Sequence, residues 1–69
     1  MQDSVRLFFN VFDEAKRIYA NIKLDISYNQ YYRILVEIDN ETILDLKGKE
    51  TGIIFGNAAS KLLNHIRGN

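Results

Sequence analysis

Residues 21–47 read NIKLDISYNQYYRILVEIDNETILDLK, and the period of their apolar side chains decides the fold. Ile22, Leu24, Ile26 and Tyr28 alternate with Lys23, Asp25, Ser27 and Asn29. A period of two puts one set on each face of a half-buried strand. The pattern resumes with Tyr32, Ile34, Val36 and Ile38 against Tyr31, Arg33, Leu35, Glu37 and Asp39. It resumes again with Thr42, Leu44 and Leu46 against Glu41, Ile43, Asp45 and Lys47. Three consecutive strands joined by short polar connections predict an antiparallel meander.

Register follows from the rule that residues directly opposite each other share a face. A two-residue Asp39-Asn40 loop pairs Ile38 with Glu41 and turns the third strand's apolar set to the wrong side. A three-residue loop, Asp39 to Glu41, pairs Ile38 with Thr42 and keeps the even positions together, so it is the expected one. The same argument makes Asn29 to Tyr31 the first loop and pairs Tyr28 with Tyr32.

Outward from the strands the period lengthens. Val5, Phe8, Phe12, Ala15 and Tyr19 recur at spacings of three and four, flanked by Leu7, Val11 and Ile18. They predict an amphipathic helix that Asp3 or Ser4 can cap. Arg6, Asn10, Asp13 and Arg17 share its opposite face, with Asp13 and Arg17 an expected i,i+4 ion pair. After Gly48, Glu50 or Thr51 can cap a second helix with Phe55, Ala59, Leu62 and Ile66 as its stripe and Ala58 and Leu63 beside it. Gly68 suits the left-handed position past its end, and Arg67 complements the helix dipole. The reading is an α+β chain of order α-β-β-β-α, a three-stranded antiparallel sheet with two helices packed on one face, in a single small domain over residues 1–69.

Bulk properties narrow the function classes. Sixty-nine residues bury only about 60% of the surface their unfolded chain exposes. The sequence has no cysteine and one histidine, which excludes a disulfide framework and a thiolate metal site. Nine basic and nine acidic residues cancel, so net charge supplies no long-range pull toward phosphate or an anionic membrane. Polar residues interrupt the first apolar stretch, and no run approaches the ~20 apolar residues of a membrane span. The expectation is a soluble, intracellular, cytoplasmic protein.

In this order of elements the chain resembles the double-stranded RNA-binding domain, over nearly its whole length. SVRLFFNVFDEAKR stands where that family has its first helix, and YYRILVEIDNETILDL is similar to its central hairpin. KETGIIFGNAASKLLNHI resembles the approach to its second helix and the helix itself, most closely at Asn57, Ala58, Ala59, Ser60, Lys61 and Leu62. The resemblance implies two helices on one sheet face and duplex-RNA binding through a lysine cluster at the start of the second helix. Ile53, Ile54 and Phe55 occupy that region here, with Lys61 at least a turn too late. Asn29-Gln30-Tyr31 likewise does not reproduce the family's glycine, proline and histidine loop. The RNA surface that remains is Arg6, Asn10, Lys16 and Arg17 of the first helix, with Gln2, plus the loop cations Lys47 and Lys49.

These departures turn the functional expectation toward protein. Three consecutive apolar residues cover ~200° of a helix, so Ile53, Ile54 and Phe55 cannot all face one core and part of this turn is a candidate contact. The outer sheet face offers Tyr31, Leu35 and Ile43 within a charged rim of Arg33, Glu37, Asp45 and Lys47. His65 reads as an exposed or capping residue, because no nucleophile pairs with it in any motif. The carboxylates show no calcium-loop spacing, and Gly48, Gly52 and Gly56 lack a phosphate-loop ending. SVRLFF as a docking motif is disfavoured because the first helix needs its apolar residues. The expectation is a non-enzymatic protein-interaction module, an adaptor, dimerisation domain or small inhibitor, whose partner is another protein or a second copy. It needs no cofactor, metal or membrane, and duplex-RNA binding through the first helix and loop cations is the alternative.

Overall fold

The computed structural model describes residues 3–68, and the order of elements is the expected one: α1 (Asp3–Ile18), β1 (Ile22–Tyr28), β2 (Tyr32–Ile38), β3 (Glu41–Gly48) and α2 (Thr51–Ile66). The strands form one antiparallel sheet in the order β1-β2-β3, leaving β1 and β3 as its edges. Tyr28 pairs with Tyr32, so Asn29 to Tyr31 is the first loop, as the alternation requires.

The second hairpin corrects the expected register. Ile38 pairs with Glu41, not Thr42, and the turn is the two-residue Asp39-Asn40, with φ of 53° and 66°. Positive φ at both central residues matches the right-handed twist of the flanking strands, and Asp and Asn tolerate it best after glycine. The apolar set is rescued one step later. Glu37 pairs with Thr42 but Val36 with Leu44, so Ile43 is an extra residue, a β-bulge, on β3. The bulge returns Leu44 and Leu46 to the core side, opposite Val36 and Ile34. Thr42, expected on the core side, instead shares the outer face with Glu37.

One core joins the elements. Phe8, Val11, Phe12 and Ala15 of α1 meet Ile34, Val36 and Leu44 of the sheet and Ile54, Phe55, Ala58, Ala59 and Leu62 of α2. Phe8, Ile34, Val36 and Leu62 are fully buried, each contributing roughly 1.5–3 kcal/mol by its burial. Among the described residues no polar or charged side chain is buried, so the core is held by apolar contact alone.

The helices run in the same direction: Phe8 and Phe55 meet near their starts with ring centroids 5.5 Å apart, and Tyr19 lies 5.7 Å from His65 near their ends. Gly56 faces the start of α1, where a Cβ would meet the Ser4 hydroxyl at an ordinary 3.6 Å. α1 packs chiefly on α2, and α2 lies closest to β3 and β2. The inner face of β1 is the least covered part of the sheet: Ile22 and Leu24 are half-buried, but Ile26 and Tyr28 are exposed.

The helix ends differ in detail from expectation. Asp3 and Ser4 are both helical, so the α1 cap lies outside the described residues. Glu50 occupies the N-cap of α2 without a side-chain hydrogen bond, and Thr51 is already helical. Past the other end, Gly68 has φ +82° and donates its N–H to the His65 carbonyl, the left-handed stop expected there.

Candidate functional site

The first helical turn of α2 splits the three candidates Ile53, Ile54 and Phe55. Ile54 and Phe55 are 3% and 6% exposed and belong to the core, which corrects their reading as interface residues. Ile54 packs beside Gly48 of β3, and the Phe55 ring lies 6.5 Å from Tyr32 and 6.3 Å from Phe9. Ile53 alone is turned outward, 57% exposed. It borders a groove of about 180 Å³ between α2 and the β3 edge, lined also by Leu46, Lys47, Lys49 and Asn57.

The outer sheet face is strapped, not apolar at its centre. Arg33 donates two hydrogen bonds to the carboxylate of Asp45, from Nε at 2.8 Å and from a terminal nitrogen at 2.7 Å. These bonds hold the Asp45 carboxyl below the usual carboxylate range and raise the guanidinium further, Asp25 adding to the latter by its charge. Arg33 follows Tyr31 and precedes Leu35 on the same side of the chain, so its pair with Asp45 divides the expected Tyr31, Leu35 and Ile43 cluster. Leu35 and Ile43 are half-buried, and Tyr31 stands apart in the first loop.

Tyr31 keeps basic company. Lys47 Nζ and Lys49 Nζ lie 5.9 and 5.4 Å from its ring centroid, within cation–π range. An open cleft of about 360 Å³ adjoins it, lined by Tyr28, Asn29, Gln30, Arg33 and Lys47, with Ser27 at its side. The two loop cations are thus brought together.

The first-helix candidates for RNA are placed differently. Lys16 pairs with Asp13 at 3.3 Å and Arg17 with Glu14 at 3.0 Å, both i,i+3, in place of the expected Asp13–Arg17 pair. Asp3, Asp13 and Glu14 balance Arg6, Lys16 and Arg17, so α1 carries no net charge. Arg6 and Asn10 are exposed on its outer side, and Gln2 lies outside the described residues.

Sequence reasoning did not single out several exposed apolar side chains. Leu7, Ile18, Ile26 and Tyr28, expected to pack, are 37–64% exposed, and Phe9 is 39% exposed. Leu7 and Ile18 flank the α1 stripe, and a wheel centred on Phe8 and Ala15 puts them at its margin. His65 is half-buried over Tyr19. Among the described residues no group of three His, Asp or Glu is placed to hold a metal ion, and no helix is long and apolar enough to cross a membrane. No family model matches this chain, and no curated protein and no solved structure matches it either.

Proposed function

We propose that this chain is a non-enzymatic protein-interaction module built on an architecture resembling a double-stranded RNA-binding domain. The carrying observation is that the core closes without Leu7, Phe9, Ile18, Ile26, Tyr28, Tyr31 and Ile53, each at least 37% exposed. A chain this small gains stability from every buried apolar group. Large side chains left outside a closed core are available to a binding partner.

Sedimentation of the protein across a concentration series in low and high salt tests this reading, beside a Leu7→Ser, Ile18→Ser, Ile53→Ser variant. Association that survives high salt and weakens in the folded variant supports it, because apolar contacts are not screened. Identical behaviour of variant and parent, together with duplex-RNA binding that weakens steeply with salt, would overturn it.

One observation favours the RNA alternative. Lys47 and Lys49 flank Tyr31, and Lys47 lines, with the amides of Asn29 and Gln30, a cleft whose lining holds no carboxylate. This reading moves phosphate contact from the neutral first helix to the loop cations. Titration of a duplex of roughly 16 base pairs, the span such domains cover, tests it.

A further inference from the structure

β1 is an open edge strand with neither bulge nor proline, and its protection among the described residues is two charges, Lys23 and Asp25, that a self-complementary partner can pair. Such edges are normally blunted by a bulge, a proline, charged side chains or a covering element, because their unpaired N–H and C=O groups template another strand. β3, the opposite edge, carries the bulge at Ile43. β1 pairs with β2 without interruption from Ile22↔Ile38 to Tyr28↔Tyr32, so it is regular along its length. The chain has no proline. The charges of β1, Lys23 and Asp25, alternate with its core-side residues and so point to the outer face, where they leave the inner edge apolar.

The inner face of β1 is unfinished as well. Ile26 is 37% exposed although its partner Ile34 is fully buried, and Tyr28 is 64% exposed although its ring centroid lies 4.6 Å from that of Tyr32. The sheet therefore ends sideways on apolar groups that no element among the described residues covers.

We infer that the partner of this edge is a second copy of the chain, paired antiparallel through β1 across a two-fold axis to make one continuous six-stranded sheet. The inference rests on the interaction reading above and names its partner. A two-fold axis perpendicular to the sheet keeps both inner faces on the same side, and opposite residues must share a face, so core-side residues of one copy meet core-side residues of the other. Centring on Asp25 sets two like charges opposite each other and is disfavoured. Centring on Ile26 leaves Lys23 opposite the amide of Asn29. Centring on Leu24 sets Lys23 opposite Asp25 of the second copy, twice by symmetry. It also sets Ile22 opposite Ile26 of the second copy and brings Tyr28 diagonally onto Ile22, within reach of an aromatic side chain. This register satisfies the charges and covers the two exposed inner-face residues together. Pairing over residues 22–26 makes a small interface, so the dimer forms in a concentration-dependent way.

The test is sedimentation equilibrium of the full chain and of three variants: Lys23→Asp, Asp25→Lys, and both together. Each single reversal sets like charges opposite each other twice and is expected to weaken the dimer roughly tenfold, while the double exchange restores the pairs and the affinity. Because these changes also touch Glu37 and Arg33 within one chain, a second measurement stands apart from them. The sequence has no cysteine, so Leu24→Cys supplies a single thiol at the two-fold centre, where opposed Cα atoms fall within disulfide range. Rapid oxidation to a covalent dimer, with no such product from Ile53→Cys, supports the pairing. A protein monomeric at every concentration overturns the second-copy inference. A dimer that ignores both charge reversals and gives no Leu24→Cys cross-link overturns the β1 pairing, while the interaction reading stands if the Leu7, Ile18 and Ile53 changes weaken that dimer.

Discussion

Ile53 and Ile54 are neighbours in the chain and opposites in environment, one 57% exposed beside the β3 edge and the other 3% exposed against Gly48. The same side chain thus serves two roles within one helical turn. Ile54→Ala is expected to destabilise the fold by about 2–5 kcal/mol, since it opens a cavity between α2 and β3. Ile53→Ser is expected to stay within about 0.5 kcal/mol of the parent. Denaturant unfolding of the two variants measures the contrast, and equal losses would mean that Ile53 is packed.

The Asp39-Asn40 turn makes a second prediction. Both residues have positive φ. Asn40→Val should destabilise by about 1–2 kcal/mol through the clash of a branched Cβ in the left-handed region, whereas Asn40→Gly should be neutral or stabilising. Unfolding midpoints at constant slope report both. Tolerance of valine would contradict the two-residue turn.

Gly56 is helical, and a Cβ there meets Ser4 at an ordinary 3.6 Å. Gly56→Ala is therefore expected to raise stability by about 0.5–1 kcal/mol through helix propensity. A fall in stability would show that the helices approach each other too closely for a methyl group.

The Arg33–Asp45 strap gives a pH dependence of known sign. The folded carboxyl sits below the usual carboxylate range, chiefly because it accepts hydrogen bonds from Arg33. Its contribution is present above the unfolded value, near pH 4, and is lost as pH falls through the lower folded value. Asp45→Asn should then be less stable than the parent at pH 7 and indistinguishable from it in strong acid. The difference is small because the pair is half-exposed. Urea unfolding at neutral and acid pH checks the convergence.

For nucleic acid, the interaction reading predicts no salt-sensitive binding of duplex RNA even at low ionic strength. Were binding found, loss in Lys47→Glu with Lys49→Glu but not in Arg6→Glu with Arg17→Glu would locate it at the Tyr31 loop. The reverse pattern would locate it on α1.

The helices, the three strands and the first hairpin were legible in the sequence because each is written as a local period. Phe8, Phe12 and Ala15 repeat with a helix, and Ile34, Val36 and Ile38 repeat with a strand. The α1 ion pairs were misread because i,i+3 and i,i+4 partners lie on the same side of a helix, and side-chain reach chooses between them. The candidate surfaces were half legible. Ile53 was in view, but Leu7, Ile26 and Tyr28 look like core by type and period, and Phe9 falls outside the helical stripe.

Period names the face a side chain takes relative to its own element. It does not say what lies across from that face. By itself the sequence determined the order of elements and the apolar side of each, since backbone geometry and side-chain alternation are local. Tertiary structure decided the rest. The bulge at Ile43 exists because the favoured twist of a two-residue turn and the need to keep Leu44 and Leu46 inside conflict by one residue, and only pairing with β2 resolves them. The setting of α2 against β3 chose Ile54 over Ile53. The position of α2 over β3 and β2, with α1 packed on α2, left Ile26 and Tyr28 of β1 uncovered, because helix placement and not helix composition decides which strand is covered.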